Sequence, residues 1–147
     1  MEKNNVLTIG LISKDRPVVI DDLKNGQGTI LYNHNIVEVP VVYDEDGNMI
    51  EVEDPKDATA TVFRYDSLRV EYPKTANNIT QTLLEPHYPQ DVQQKLINDY
   101  QAAQIGILED DEADAAIAAY RAFLSDRKAI KAMVKADCAA NHIPDDL

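Results

Sequence analysis

The chain has 147 residues, about one domain's worth, with 44% hydrophobic residues and a formal net charge of −12. That apolar fraction argues against wholesale disorder, and the acidic balance argues against non-specific binding to nucleic acid or an anionic membrane surface, which are themselves negative. A single cysteine, Cys138, excludes an internal disulfide framework and a cysteine-based zinc site; it reads as a small apolar residue of a helix.

Val6–Ile12 is an apolar run interrupted by Thr8 and Gly10, with one basic residue, Lys3, ahead of it. It is too short and too polar for the apolar region of a signal peptide, and far below a membrane span. The protein is therefore expected in the cytoplasm of the cell that makes it, where the glycosylation pattern Asn78-Ile79-Thr80 has no meaning. The same run can form a short strand. Val18-Val19-Ile20 is a second apolar run, behind Pro17. Asp21 to Gly28 is punctuation around the turn dipeptide Asn25-Gly26. Gly26-Gln27-Gly28 lacks the third glycine and the following helix of a dinucleotide loop, because Thr29–Tyr32 reads as strand.

A hairpin is expected over residues 36–53. Ile36, Val37, Val39, Val41 and Val42 lead into Asp44-Glu45-Asp46-Gly47-Asn48, and Met49–Glu53 returns. Pro40 cannot donate to a ladder, so its strand is expected at an edge or bulged there. A calcium loop with Gly47 in the sixth position would place Asp44, Asp46 and Glu53 correctly. It would also place Val42 first and strands on both flanks, so the hairpin tip is preferred. Thr59–Tyr72 reads as a further strand, with Asp66-Ser67 as a turn dividing it. Leu68, Val70 and Tyr72 alternate with Arg69 and Glu71, the pattern of a strand buried on one side.

After Pro73 the period changes from two to about 3.6. Ile79, Leu83 and Leu84 share a helical face behind Thr75 or Asn77 as N-cap, and Pro86 is expected to end that helix. A second helix starts around Tyr88-Pro89-Gln90-Asp91, with Val92, Leu96, Tyr100 and Ala103 as its stripe, Ile97 beside it, and Gly106 as its stop. Leu108–Glu112 reads as an acidic loop running into a helix start, where negative charge is favoured. The last helix is expected from near Asp111 to about Ala139. Ile117, Tyr120 and Leu124 share one face and Ile130, Val134 and Cys138 another, so the stripe drifts or the helix kinks or restarts at Ser125-Asp126. Lys128, Lys131 and Lys135 suit the dipole of its later turns and are the candidates for a basic patch. Residues 141–147 are expected to fray.

The sequence contains no H-E-x-x-H, no P-loop, no G-x-S-x-G and no clustered cysteine and histidine. His34, His87 and His142 fall in three different contexts. Ser13, Ser67 and Ser125 have no motif around them. No catalytic, cofactor-binding or metal-ligating residue is singled out, and no cofactor is expected. Tyr32, Tyr43, Phe63, Tyr65 and Tyr72 fall in predicted strands, where core packing accounts for them without a nucleic-acid ligand.

The C-terminal half carries a resemblance. Its elements are Arg64–Val70, Pro73, His87-Tyr88-Pro89-Gln90-Asp91 and Asn98–Ala103, followed by Tyr120-Arg121-Ala122-Phe123 and Ala129–Lys135. This half resembles small phage and prophage proteins of gut bacteria, from the tail or assembly region. The resemblance implies a virion-associated or assembly role and supplies no functional residues.

The expected fold is α+β in a single domain, 1–147. Residues 1–72 form an antiparallel sheet of about four to six strands, and residues 75–140 form about three helices. The sheet's apolar face, or else the helices themselves, would cover the helical stripes. The expected function is that of a non-enzymatic structural or assembly protein. It would act on protein partners, phage structural proteins or further copies of itself, and could enter the virion. An acidic inhibitor that imitates DNA is the first alternative. It requires the carboxylates of 44–46, 51–54 and 109–112 to form one face. An Asp/Glu-based enzyme, with or without a divalent ion, is the second.

Overall fold

The computed structural model describes residues 6–147, so Lys3, which entered the reading of the N-terminus, lies outside the described residues. The expected α+β arrangement is present: an N-terminal antiparallel sheet precedes C-terminal helices. The chain divides between Tyr72 and Pro73 into two compact units.

Among the described residues of the first unit, β1 (Leu7–Ser13), β2 (Ile20–Asp22), β3 (Ile30–Tyr43), β4 (Met49–Glu51) and β5 (Ala60–Val70) form one sheet. β5 lies between β1 and β3, while β2 and β4 share the other side of β3. A short 3-10 helix, Pro55–Asp57, precedes β5 and is capped by the Asp54 side chain.

The buried face depends on a change of parity. Ile30, Tyr32 and His34 are buried at even positions of β3; beyond Asn35 the buried positions are Val39 and Val41. Between His34 and Val37 the register with β5 slips by one residue, a bulge. An unbulged strand would turn Val39 and Val41 to the opposite face. With the bulge, Tyr32 stands opposite Leu68 and Val39 opposite Val62, and β5 keeps one face throughout, buried at Val62, Leu68 and Val70 with Arg64 and Asp66 half-buried between them.

A second bulge interrupts β1 between Thr8 and Leu11. Each bulge contains a residue at positive φ, Asn35 at 52° and Gly10 at 76°. Asp66 of β5 lies between the two bulges. One carboxylate oxygen accepts from the Gly10 backbone N–H at 3.1 Å and the other from Asn35 Nδ2 at 2.9 Å. The turn expected at Asp66-Ser67 is therefore absent: β5 passes through unbroken, with Ser67 paired to Thr8 on one side and Asn33 on the other. A polar pair inside a strand resembles turn chemistry, but here its carboxylate serves neighbouring strands.

Two further expectations are corrected. Pro40 is in the central strand β3, not in an edge strand, and the bulge lies elsewhere. Its carbonyl accepts from Val52 N at 3.0 Å, just past the end of β4. In an antiparallel strand the N and O of one residue point to the same side, so the missing N–H falls where the β4 ladder runs out. Tyr72 lies beyond β5 and is 67% exposed, so it does not continue the Leu68–Val70 face. It packs over Gly28 (φ 69°), where a Cβ would approach Tyr72 Cβ to 3.2 Å.

The hairpin forms as expected, although β4 is short. Asp44 Oδ1 accepts from the backbone N–H groups of Asp46 and Asn48, at 2.9 and 2.8 Å, and Gly47 takes φ 82°. Of the run Val18-Val19-Ile20, only Ile20 enters a strand; Asn33 holds the other two by bonds to the carbonyls of Val18 and Val19.

The second unit contains α1 (Ala76–His87), α2 (Gln90–Gln104) and α3 (Asp110–Ala140) among its described residues. Thr75 is the N-cap of α1, accepting from Asn78 N. Pro86 does not end α1 but occupies its last turn, one residue before the end. Pro89 is the N-cap of α2, so two prolines bracket a break of two residues, Tyr88 and Pro89, between the helices. α2 ends as expected at Gly106, φ 78°, with Ile107 N donating to Ala102 O and Gly106 N to Ala103 O. That bond pair is the Schellman closure. Val92, expected in the stripe of α2, is exposed, while Leu96, Tyr100 and Ala103 are half-buried.

α3 neither kinks nor restarts at Ser125; it is one helix of 31 residues, about 45 Å long at 1.5 Å per residue. Its buried and half-buried positions include Ala116, Tyr120, Phe123, Arg127, Ile130 and Val134. Their spacing alternates four and three, a period of about 3.5, and follows one seam. The apparent drift came from assigning Leu124 to the stripe; Leu124 is exposed and Phe123 is buried. Tyr100 of α2 stacks on Tyr120, with ring centroids 4.5 Å apart, and Tyr88 meets Phe123 edge-on at 4.8 Å.

The tail does not fray at its start. Asn141, His142 (φ 58°) and Ile143 close α3 with a second Schellman pair, Ile143 N to Cys138 O and His142 N to Ala139 O. Ile143 is buried. The carbonyls of Pro144 and Asp145 then accept from Ala76 N and Asn77 N. With Thr75 serving Asn78 and Ile79, the first four N–H groups of α1 all have partners.

Candidate functional site

The break between α1 and α2 forms one side of a cleft of about 440 Å³, lined by His87, Tyr88, Asp126, Ala129 and Ile130. Tyr88 is held at three points. Its N–H donates to Leu84 O at 2.8 Å, its carbonyl accepts from Gln93 Nε2 at 2.6 Å, and its ring rests edge-on against Phe123. Its hydroxyl donates to the Asp126 carboxylate. Asp126, Ala129 and Ile130 are spaced i, i+3, i+4, so they share one face of α3. The cleft thus has apolar lining from Ala129 and Ile130, the His87 imidazole, the Asp126 carboxylate and a phenol bonded to that carboxylate.

The hydrogen bond to Asp126 pushes the Tyr88 phenol above its ordinary pKa, with desolvation and the charge of Asp126 adding to it. Tyr88 is therefore a hydrogen-bond donor to Asp126 at neutral pH.

The three histidines stay in separate settings. His34 is buried and stacked on Tyr32 at 4.7 Å, with Nδ1 3.1 Å from the Tyr32 carbonyl. His87 lines the cleft, and His142 closes α3. Among the described residues no group of three or more His, Cys, Asp or Glu side chains is placed to hold a metal ion. Cys138 is buried, and burial, with Asp137 and Asp145 nearby, raises its pKa to about 11. Its thiol is therefore protonated and unreactive at neutral pH.

Several of the acidic residues have structural work. Asp44 orders the hairpin turn, Glu51 pairs with Arg64, and Asp54 caps the 3-10 helix. Glu71 takes Arg69 Nε at 2.8 Å and Thr29 Oγ1 at 2.7 Å, and these bonds lower its pKa. Of the three lysines late in α3, Lys135 lies 4.0 Å from Asp145. No helix among the described residues is long and apolar enough to cross a membrane.

The aromatic side chains of the sheet divide by environment. Tyr32 is fully buried, Phe63 lies beneath the Arg16 guanidinium at 5.9 Å, and Tyr43 and Tyr72 are exposed. Around Tyr43, the paired residue Met49 and its neighbour Ile50 are also exposed.

Sequence reasoning singled out none of the cleft residues. Tyr88 read as part of a helix start and Asp126 as part of a kink. The signal that was present is the i, i+3, i+4 spacing in α3, but Tyr88 and Asp126 are 38 residues apart, and only packing joins them. No family model, curated protein or solved structure matches the chain.

Proposed function

We propose that this chain is a non-enzymatic structural or assembly protein of a phage or prophage, acting by protein–protein contacts. The phage setting rests on the resemblance of the C-terminal half. The contact role is supported by the β3–β4 hairpin, which exposes the cross-strand pair Tyr43 and Met49 on one face at the end of the sheet and Ile50 on the opposite face. Large apolar side chains grouped in this way suit a partner more than they suit water, and tyrosine and methionine are common in contact surfaces. Ile105 and Ile107, exposed at the α2–α3 turn, are a second such group.

Cross-linking in phage-producing cells tests this, using a photoreactive residue in place of Met49. Cross-links to virion components, with virion genes as neighbours, are the expected outcome. Neighbours from a metabolic operon and no virion cross-link would remove the assembly role.

A further inference from the structure

We propose that the cleft beside Tyr88 receives a basic side chain, a lysine or arginine, from a protein partner. This rests on the contact role above and adds the chemistry of the partner. The Asp126 carboxylate meets the cation, and Ala129 and Ile130 carry its methylene stem. Long basic side chains have this division, an apolar stem and a charged head. A carboxylate has about four acceptor sites, and the Tyr88 hydroxyl uses one. The phenol thereby fixes the carboxylate before any partner arrives, and Tyr88 is itself held through Leu84, Gln93 and Phe123. Preorganisation of this kind reduces the entropy lost on binding. Of the cationic residues adjoining Asp126, Lys128 leaves α3 about 200° from it, while Arg127 lies about 60° from Ile130 and is half-buried in the seam. The net charge of −12 favours approach of a basic partner over an acidic one.

The test is amide chemical-shift titration of the full chain with three probes: Nα-acetyl-arginine amide, Nα-acetyl-lysine amide, and Nα-acetyl-norleucine amide, which keeps the stem without the charge. A basic probe should shift Tyr88, Asp126, Ala129 and Ile130 saturably in the millimolar range. Asp126→Asn should weaken it at least tenfold, and Tyr88→Phe about two- to fivefold. If Asp126→Asn loses its dispersed spectrum, salt replaces it as the probe of charge: binding to the native chain should weaken about threefold or more from low to physiological ionic strength. Equal binding of norleucine amide, salt-independent binding, full binding by a folded Asp126→Asn chain, or no shift in the cleft would each overturn the proposal. A silent cleft in a chain that still cross-links to virion proteins through position 49 removes this proposal and leaves the assembly role standing.

Discussion

The two units hold their register by opposite means. In the sheet, the device is polar and sits in β5, an interior strand. Two bulges, each with one residue at positive φ, flank β5, and a single carboxylate, Asp66, bonds to both. In the helical unit the device is apolar and spread along α3, a seam through Tyr120, Phe123, Ile130 and Val134, closed at its end by the chain's last residues. The difference follows from what each element can get wrong. A strand that slips one residue turns its whole apolar set over, so a point constraint is needed. A long helix misplaced by one residue moves its stripe by about 100°, and many distributed contacts resist that.

The largest expected effect is at the end of the helical unit. Removing residues 142–147 deletes a buried isoleucine and the carbonyl partners of Ala76 and Asn77. The expected loss is about 4–6 kcal/mol, read by denaturant unfolding. Cys138, buried beside Ile143 in the closure of α3, should then react with a thiol reagent that leaves the intact chain unmodified. Unchanged stability and an unreactive Cys138 would mean that the closure contributes nothing.

The seam makes the next prediction. Phe123→Ala should cost about 3–5 kcal/mol, and the adjacent Leu124→Ala under about 1 kcal/mol, since Leu124 is 44% exposed. Equal costs would show that the period-3.5 seam does not describe how α3 packs. Asp66→Ala follows, at about 1–2 kcal/mol, because it removes two hydrogen bonds, from the Gly10 N–H and the Asn35 amide, whose exposed donors then turn to water. Hydrogen exchange should rise first in β1 and around Asn35. Intact protection there would show that apolar alternation alone sets the register.

The parts legible in the sequence are the local ones. The Asp44–Asn48 turn, the Thr75 cap and the Gly106 stop each depend on a few neighbouring residues, and each forms. Leu68 and Val70 were legible because alternation acts over short range. What was not legible depends on distant partners. Asp66-Ser67 carries turn chemistry, and nothing nearby shows that Gly10 and Asn35 will claim the carboxylate. Phe123 and Leu124 are equally apolar neighbours, and α2 and Tyr88 decide between them. The tail reads as polar and short, yet α1 needs its carbonyls. The cleft escaped for the same reason, since its polar pair joins a helix break to the middle of another helix.

A smaller effect separates two strained backbones. His142 closes α3 at φ 58°, where glycine has no steric penalty, so His142→Gly should stabilise by about 1 kcal/mol. Asn35 takes φ 52° but also donates to Asp66, so Asn35→Gly relieves strain and loses a bond. Its net change should be near zero or unfavourable. Stabilisation at both positions would mean that the Asn35–Asp66 bond contributes little.

The smallest effects are in the pH dependence, where the two units should fail at opposite ends. Glu71 has a lowered folded-state pKa, through Arg69 and Thr29. The unfolded chain then binds more protons than the folded one below the ordinary value of 4.5, so this contribution is present above that pH and is lost as pH falls through the folded value. Tyr88 has a raised pKa, through Asp126. The folded chain keeps its proton where the unfolded chain has lost it, so this contribution is complete below about pH 10 and is lost as pH rises through the folded value. Glu71→Gln should flatten the acid limb of stability measured against pH, and Tyr88→Phe the alkaline limb, each leaving the other limb unchanged. Both groups touch solvent, which keeps the changes small. If Tyr88→Phe left the alkaline limb unchanged, the hydroxyl would not be bonded to Asp126 in solution, and the cleft would lose the group that orients its carboxylate.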